Sequence, residues 1–83
     1  MNESFPTTVA MKVFINDNLQ LIEDIIDIVK HHFPKILDND VSFARSSEKK
    51  YVAITFKIFA FSKEEIDKLY QVITKTPGVK MVL

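Results

Sequence analysis

Two hydrophobic periodicities alternate along this chain, and the order in which they occur restricts the folds open to it. Apolar residues recur at every second position from Thr8 to Ile15 and from Tyr51 to Ala60, as in strands that bury one face. Elsewhere they recur at three- and four-residue spacing, as in amphipathic helices. With shorter strand candidates at Val41 to Arg45 and Val79 to Leu83, the predicted order is strand, helix, strand, strand, helix, strand.

The first helix is predicted between the first two strands. Its apolar stripe comprises Leu19, Ile22, Ile25, Ile26, Val29 and Phe33. Asn16-Asp17-Asn18 supplies side-chain oxygens suited to capping its start, and Asp17 with Gln20 three residues later reads as a variant capping box. The helix should end near His32 or Phe33, because the residue before Pro34 is disfavoured in the helical conformation.

The second helix has the clearest local signal in the sequence. Ser62 and Glu65 have the spacing of a full capping box, and Thr76-Pro77-Gly78 must end the helix. Its predicted buried stripe consists of Ile66, Leu69, Tyr70 and Ile73.

Few topologies accommodate this order of elements. A strand-helix-strand crossover is right-handed, and the short loop from Ser46 to Lys50 makes the second and third strands an antiparallel pair. Both conditions are met by an α+β ferredoxin-like βαββαβ sandwich, with a four-stranded antiparallel sheet and two helices on one face. Residues 1–83 then form a single domain. The predicted core face of the third strand is Val52, Ile54, Phe56, Ile58 and Ala60.

The second strand allows two orientations. Either Val41, Phe43 and Arg45 face the core, or Ser42, Ala44 and Ser46 do so. Apolar content favours the first set, although this orientation leaves Arg45 near an edge of the sheet. Arg45 on the second strand and Lys80 on the fourth could discourage edge-to-edge pairing with other sheets.

Composition excludes several functional classes. Eleven basic and eleven acidic residues give a formal net charge of zero, so the long-range field of a typical nucleic-acid binder is absent. There is no cysteine and a single glycine, which excludes thiolate chemistry and glycine-rich phosphate loops. The adjacent residues His31 and His32 point about 100° apart on a helix and are poorly placed to share a metal. We therefore expect no enzyme, no catalytic residues, no metal and no cofactor. The absence of a signal peptide or an apolar span predicts a cytoplasmic protein that does not enter a membrane.

The open sheet face offers the best candidates for binding. Lys12 and Phe14 on the first strand are predicted to lie beside Lys57 and Phe59 on the third, so these four residues are the candidate ligand- or partner-binding site. Apolar side chains on an open sheet are commonly covered by another subunit or protein. Single-stranded RNA binding through the same face is the alternative, with bases stacked on the aromatics. It is disfavoured because residues 49–56 match the known RNA-binding strand signature poorly.

Several short motifs, in order, resemble a family of small bacterial proteins typified by YbeD. They are Phe5-Pro6-Thr7, Lys12-Val13, His32-x-Pro34, Ser46-Ser47 before Tyr51, and Met81-Val82-Leu83 after Lys80. The chain departs from the family in having Glu48-Lys49-Lys50 where a glycine is usual. The family has no established reaction, and its members are ferredoxin-like and resemble ACT domains, which sense small molecules and regulate metabolic enzymes. The resemblance therefore implies the same fold and a regulatory role.

Together these observations predict a non-catalytic regulatory or protein-interaction domain. The expected partners are a second copy of the chain, another protein, or, as the resemblance implies, a small metabolite. Nucleic acid is a less favoured partner.

Overall fold

The computed structural model describes residues 4–46, 48 and 50–83. Their elements are β1 (Thr7–Asn16), α1 (Leu19–His32), a 3₁₀ turn (Asp38–Asp40), β2 (Val41–Arg45), β3 (Tyr51–Ala60), α2 (Lys63–Thr74) and β4 (Val79–Val82). The strands form an antiparallel sheet in the order β2-β3-β1-β4. The predicted ferredoxin-like α+β fold is confirmed. Ser47 and Lys49 of the predicted hairpin loop lie outside the described residues.

The core lies between one face of the sheet and the two helices. All five residues predicted for the core face of β3 are buried, and Phe56 is the largest fully buried side chain. Met11, Val13 and Ile15 of β1 are buried beside them. Ile22, Ile25 and Val29 of α1 pack against this sheet face from the helix side. Leu19 begins α1 and is exposed, although it continues the apolar stripe. No helix among the described residues is both long enough and apolar enough to cross a membrane.

The start of α1 confirms one of the three predicted capping residues, but the predicted capping box of Asp17 and Gln20 is wrong. The N-cap is Asn18, whose side-chain oxygen accepts a hydrogen bond from the Leu21 N–H at 3.0 Å. Asp17 is not the cap, because its carboxylate accepts a hydrogen bond from Arg45 Nε at 2.9 Å. Gln20 donates to Asp24 instead of reaching back to the cap. Position thus decides between two residues with similar capping chemistry: Asn18 directly precedes the first helical residue and has the extended backbone that a cap requires.

The predicted cap of α2 is confirmed at Ser62, whose Oγ accepts from the Glu65 N–H at 3.4 Å. The Glu65 carboxylate reaches one residue further back than in a standard capping box and accepts from the Phe61 N–H at 2.8 Å. The prediction that Tyr70 is buried is wrong, since Tyr70 is 45% exposed. Tyr70 lies beside Leu69 at the flank of the stripe, where an amphipathic side chain keeps its hydroxyl in water.

Replacing Ser62 by alanine should lower the free energy of unfolding by about 1 kcal/mol, because the Glu65 N–H loses its acceptor at the helix start. Urea unfolding followed by circular dichroism measures this change. Ser42→Ala on the exposed face of β2 is the control and should change stability by less than about 0.5 kcal/mol. Equal losses in both variants would contradict a capping role for Ser62.

The orientation of β2 follows from its register with β3. Val41, Phe43 and Arg45 pair with Phe56, Ile54 and Val52, which are core-face residues. The first of the two predicted orientations is therefore the correct one. Val41 is half-buried, but Phe43 remains 51% exposed because β2 is an edge strand.

Candidate functional site

The register of β1 and β3 places the four predicted binding residues on the open sheet face. Lys12 lies opposite Thr55 and Phe14 opposite Ala53, whereas Lys57 and Phe59 lie opposite Ala10 and Thr8. The two lysines are diagonal neighbours. The phenylalanines lie six residues apart along the strands, which corresponds to about 20 Å at ~3.4 Å per residue. The structure therefore does not bring the four residues together into one interleaved patch.

Phe14 belongs to an apolar cluster that the sequence analysis missed. Met81 pairs with Phe14 across β1 and β4, and Leu83 exchanges backbone hydrogen bonds of 2.8 and 3.1 Å with Lys12. Met81 and Leu83 are both exposed. Their position could have been predicted only from the register of β4, which alternation in a four-residue strand does not fix.

Lys57 and Phe59 instead line a cleft of about 470 Å³. The cleft lies where α1 ends, β3 ends and α2 begins, and we call it the β3-end cleft. It exists because β2 pairs with β3 only as far as Val41 and Phe56, so that the edge of β3 beyond Phe56 is left uncovered by β2. The segment that leads from α1 to the 3₁₀ turn forms the opposite wall.

The floor of the β3-end cleft is apolar. Its apolar lining residues are Phe33, Pro34, Ile36, Ile58, Phe59 and Phe61. The rings of Phe59 and Phe61 lie edge to face with centroids 5.3 Å apart, and they are 55% and 66% exposed. Pro34 ends α1 and turns the chain, and in this way the residues that follow it reach the edge of β3.

Four charged residues surround this floor: Lys35, Lys57, Asp40 and Glu65. Both carboxylates have local partners, since Asp40 accepts from the Leu37 N–H at 3.0 Å and Glu65 accepts from the Phe61 N–H at 2.8 Å. Neither lysine forms an ion pair within the part of the chain that the structure describes. Among the described residues, the two ammonium groups are thus the charged groups at this site that have no ion-pair partner.

His32 completes the rim of the cleft. Its Nδ1 lies 3.0 Å from the carbonyl oxygen of Ile28, and because a carbonyl only accepts, Nδ1 carries the proton. Nε2 is the nitrogen left for a ligand. The neighbouring His31 ring is 5.8 Å away from that of His32, centroid to centroid, and edge-on to it. The Ile28 carbonyl lies within α1, so this contact is an intrahelical one in the last turn of the helix.

An apolar floor with two ammonium groups at its rim complements a particular kind of molecule. An apolar body would cover Phe59 and Phe61, while an anionic head would reach Lys35 or Lys57. Phe61 and Lys35 were not among the predicted binding residues. They lie in turns outside the strands and helices, where periodicity carries no information on side-chain direction.

Comparison with known proteins relates the chain to a bacterial family. A family model described as "Protein of unknown function (DUF493)" matches residues 2–83. The UPF0250 proteins of Chromobacterium violaceum and Shewanella loihica are 30% and 34% identical to the chain over 79 residues, which are 95% of this chain and 89% and 88% of theirs. The UPF0250 protein of Paraburkholderia phytofirmans is 31% identical over 91 residues, covering 100% of this chain and 97% of that protein. The predicted YbeD-like resemblance is thereby confirmed, and the chain belongs to the DUF493 (UPF0250) family of small bacterial proteins of unknown function.

Proposed function

We propose that this protein is a non-catalytic regulatory domain that binds a small apolar carboxylate in the β3-end cleft. The observation that carries the proposal is an aromatic floor, Phe59 and Phe61, beside the ammonium groups of Lys35 and Lys57, which form no ion pair with any residue that the structure describes. A ligand of this class is an arylacetate or a short branched or straight-chain acid.

The size of the cleft supports a small ligand. Sites for small molecules typically measure ~300–1,000 Å³ and combine an apolar lining with a few polar groups, and the cleft of about 470 Å³ falls in this range. An acid with about ten non-hydrogen atoms would fill only part of it, so we expect binding in the micromolar to millimolar range.

The position of the cleft supports a regulatory role. Its walls come from the end of α1, the end of β3 and the start of α2, so a bound ligand would contact three elements that are distant in sequence. Any ligand that binds the folded state preferentially stabilises it, by about 2.7 kcal/mol at a hundredfold excess over Kd. Ligand binding would thus hold these three elements more firmly, and a partner protein that contacts them would respond to that change.

Titration of the ¹⁵N-labelled protein with phenylacetate tests the proposal. We expect amide shifts at Lys35, Lys57 and Phe61, and weaker binding, by about tenfold, in Lys57→Gln, which loses one charge-assisted contact. Phenethylamine, with the same ring and the opposite charge, is the matched ligand control and should not bind. Lys12→Gln is the matched protein control, because Lys12 is an exposed lysine of the same sheet face outside the cleft.

Three results would count against this assignment. Phenethylamine could bind as well as phenylacetate, Lys12→Gln could weaken binding as much as Lys57→Gln, or the shifts could map to Phe14 and Met81. Phenylalanine, which carries both charges, tests whether Asp40 and Glu65 also recognise the ligand. If phenylalanine bound more tightly than phenylacetate, the proposed ligand would be a zwitterion rather than a simple carboxylate.

The geometry does not favour single-stranded RNA binding over this proposal. Phe14 and Phe59 lie at opposite ends of the open face, too far apart to stack neighbouring bases. Phe59 is also paired with Phe61 in the cleft rather than standing alone on the sheet.

A further inference from the structure

A second concave surface lies between the two helices, and we call it the α1–α2 groove. It measures about 320 Å³ and is lined by His32, Lys68, Gln71, Val72 and Lys75. His32 is the last residue of α1, and the other four belong to α2 or directly follow its last residue. Among the described lining residues, His32 alone also lines the β3-end cleft. The groove is therefore distinct from the site proposed for the apolar carboxylate.

The spacing of the polar residues along α2 brings them to one side of the groove. Lys68, Gln71 and Lys75 are separated by three and four residues, so they lie one above another on the same side of the helix. Seven residues separate the two lysines, which corresponds to about 10.5 Å along the helix axis. Their flexible four-carbon side chains can converge on one point between them, beside the amide of Gln71.

The lining of the groove is positively charged. No aspartate or glutamate is among the described residues that line it. Glu64 precedes Lys68 by four residues, the spacing of a helical ion pair, but the two side chains form no such pair, and Glu65 accepts from the Phe61 N–H instead. Within the part of the chain that the structure describes, neither Lys68 nor Lys75 forms an ion pair. Both positive charges are therefore available to a ligand.

The stability of α2 accounts for only one of these two charges. Lys75 directly follows Thr74, the last residue of the helix, where a cation offsets the partial negative charge of the carbonyl end. This effect is confined to the last turn of a helix. Lys68 lies six residues before Thr74, in the middle of α2, and is beyond its reach. The position of Lys68 beside Gln71 in a concave surface is thus better explained by a bound anion.

A phosphate dianion matches this lining in charge and in hydrogen bonding. A phosphate group on a small alcohol carries a charge of about −1.5 to −2 at neutral pH and has three acceptor oxygens. Lys68 and Lys75 supply two positive charges, and the side-chain amide of Gln71 adds neutral N–H donors. A carboxylate or a phosphodiester carries a single negative charge and would leave one ammonium group without a counterion. The dianion is therefore the anion that uses both lysines.

We propose that the α1–α2 groove binds a phosphate dianion through Lys68, Gln71 and Lys75, either as free phosphate or as the head group of a small phosphate monoester. The proposal does not rest on the ligand of the β3-end cleft. Both lysines are exposed to solvent, which weakens their attraction for an anion, so we expect binding in the millimolar range.

Titration of the ¹⁵N-labelled protein with glycerol 3-phosphate, at an ionic strength held constant with sodium chloride, tests the site. We expect shifts of the Gln71 side-chain amide and of the Lys68 backbone amide, and none at Phe14. Lys68→Gln and Lys75→Gln should each weaken binding by about three- to tenfold, because each removes one charge-assisted contact. Lys12→Gln is the matched control and should bind like the wild type, since Lys12 is an exposed lysine on the sheet face away from both helices.

Two further probes identify the anion and its source. Inorganic phosphate should shift the same amides. If it binds at least as tightly as glycerol 3-phosphate, the groove is a site for free phosphate, and if it binds more weakly, the groove is a site for a monoester. Dimethyl phosphate, a diester with one negative charge, should bind about five- to tenfold more weakly than glycerol 3-phosphate.

The proposal would be overturned if dimethyl phosphate bound as tightly as the dianions, or if neither Lys68→Gln nor Lys75→Gln weakened binding. The absence of any shift of the Gln71 side-chain amide would overturn it as well. The spectrum of each variant also reports whether the fold is intact. Lys68→Gln should leave the binding of phenylacetate unchanged, so a failure of this site and a failure of the β3-end cleft are observed separately.

Discussion

Replacing Phe56 by alanine is expected to lower the free energy of unfolding by about 3 to 5 kcal/mol. Phe56 is fully buried at the middle of the sheet, between Met11 on β1 and Val41 on β2. Both neighbours belong to strands that are fixed by pairing, so the surrounding structure has little freedom to collapse into the cavity. A domain of this size has about 5 to 10 kcal/mol of stability in total, and the variant should be close to its unfolding threshold.

Urea unfolding followed by circular dichroism measures this loss, with the midpoint and the slope fitted separately. Phe59→Ala is the matched control, since Phe59 lies on the same strand, faces the other side of the sheet and is 55% exposed. The control should lose less than about 1 kcal/mol. Similar losses for Phe56→Ala and Phe59→Ala would contradict the assignment of the two faces of β3.

The fold could be predicted because each strand and helix carries its own signal. The ten residues of β3 alternate strictly, so the buried face was fixed before any tertiary contact was known. Pro34 and Pro77 mark the ends of the helices through their own backbone restrictions. The order of the elements then leaves few topologies, although it does not fix the register between the strands.

Side-chain placement at the borders of these elements was less predictable. Asp17 and Asn18 both have capping chemistry, and the contact of Asp17 with Arg45, 28 residues away, decides which one caps α1. Apolar content favoured the orientation that puts Phe43 on the core side of β2, and the register bears this out, but only the position of β2 at the sheet edge explains why Phe43 is 51% exposed. Such features depend on contacts between distant residues.

The candidate site illustrates the same limit. Lys57 and Phe59 were identified from the strand pattern, but their cleft partners Lys35 and Phe61 lie in turns. The mismatch in length between β2 and β3 creates the cleft, and this mismatch became visible only with the register. Lys12 and Phe14, predicted for the same site, lie instead beside β4.

Gly78, the single glycine of the sequence, is a position where an added methyl group should be costly. It connects α2 to β4 with a φ of +94°, a conformation that residues with a side chain rarely adopt. A Cβ at Gly78 would lie 2.6 Å from Leu21 Cδ2. The Gly78 carbonyl also accepts the Asn16 N–H at 3.2 Å, which ties the turn to the end of β1. The backbone is therefore poorly placed to relax away from either constraint.

Gly78→Ala should accordingly lower the free energy of unfolding by about 2 kcal/mol. Backbone strain and the displacement of the Leu21 side chain both destabilise the folded state. Alanine also lowers the conformational entropy of the unfolded chain, which offsets part of this loss. Gly78→Asn keeps the Cβ but tolerates positive φ better, so it should lose less than the alanine variant. Repeating Gly78→Ala in a Leu21→Ala background removes the steric contact and leaves the backbone strain. If Gly78→Ala proved neutral, or cost the same in the Leu21→Ala background as alone, the contact with Leu21 would not contribute to the cost at this turn.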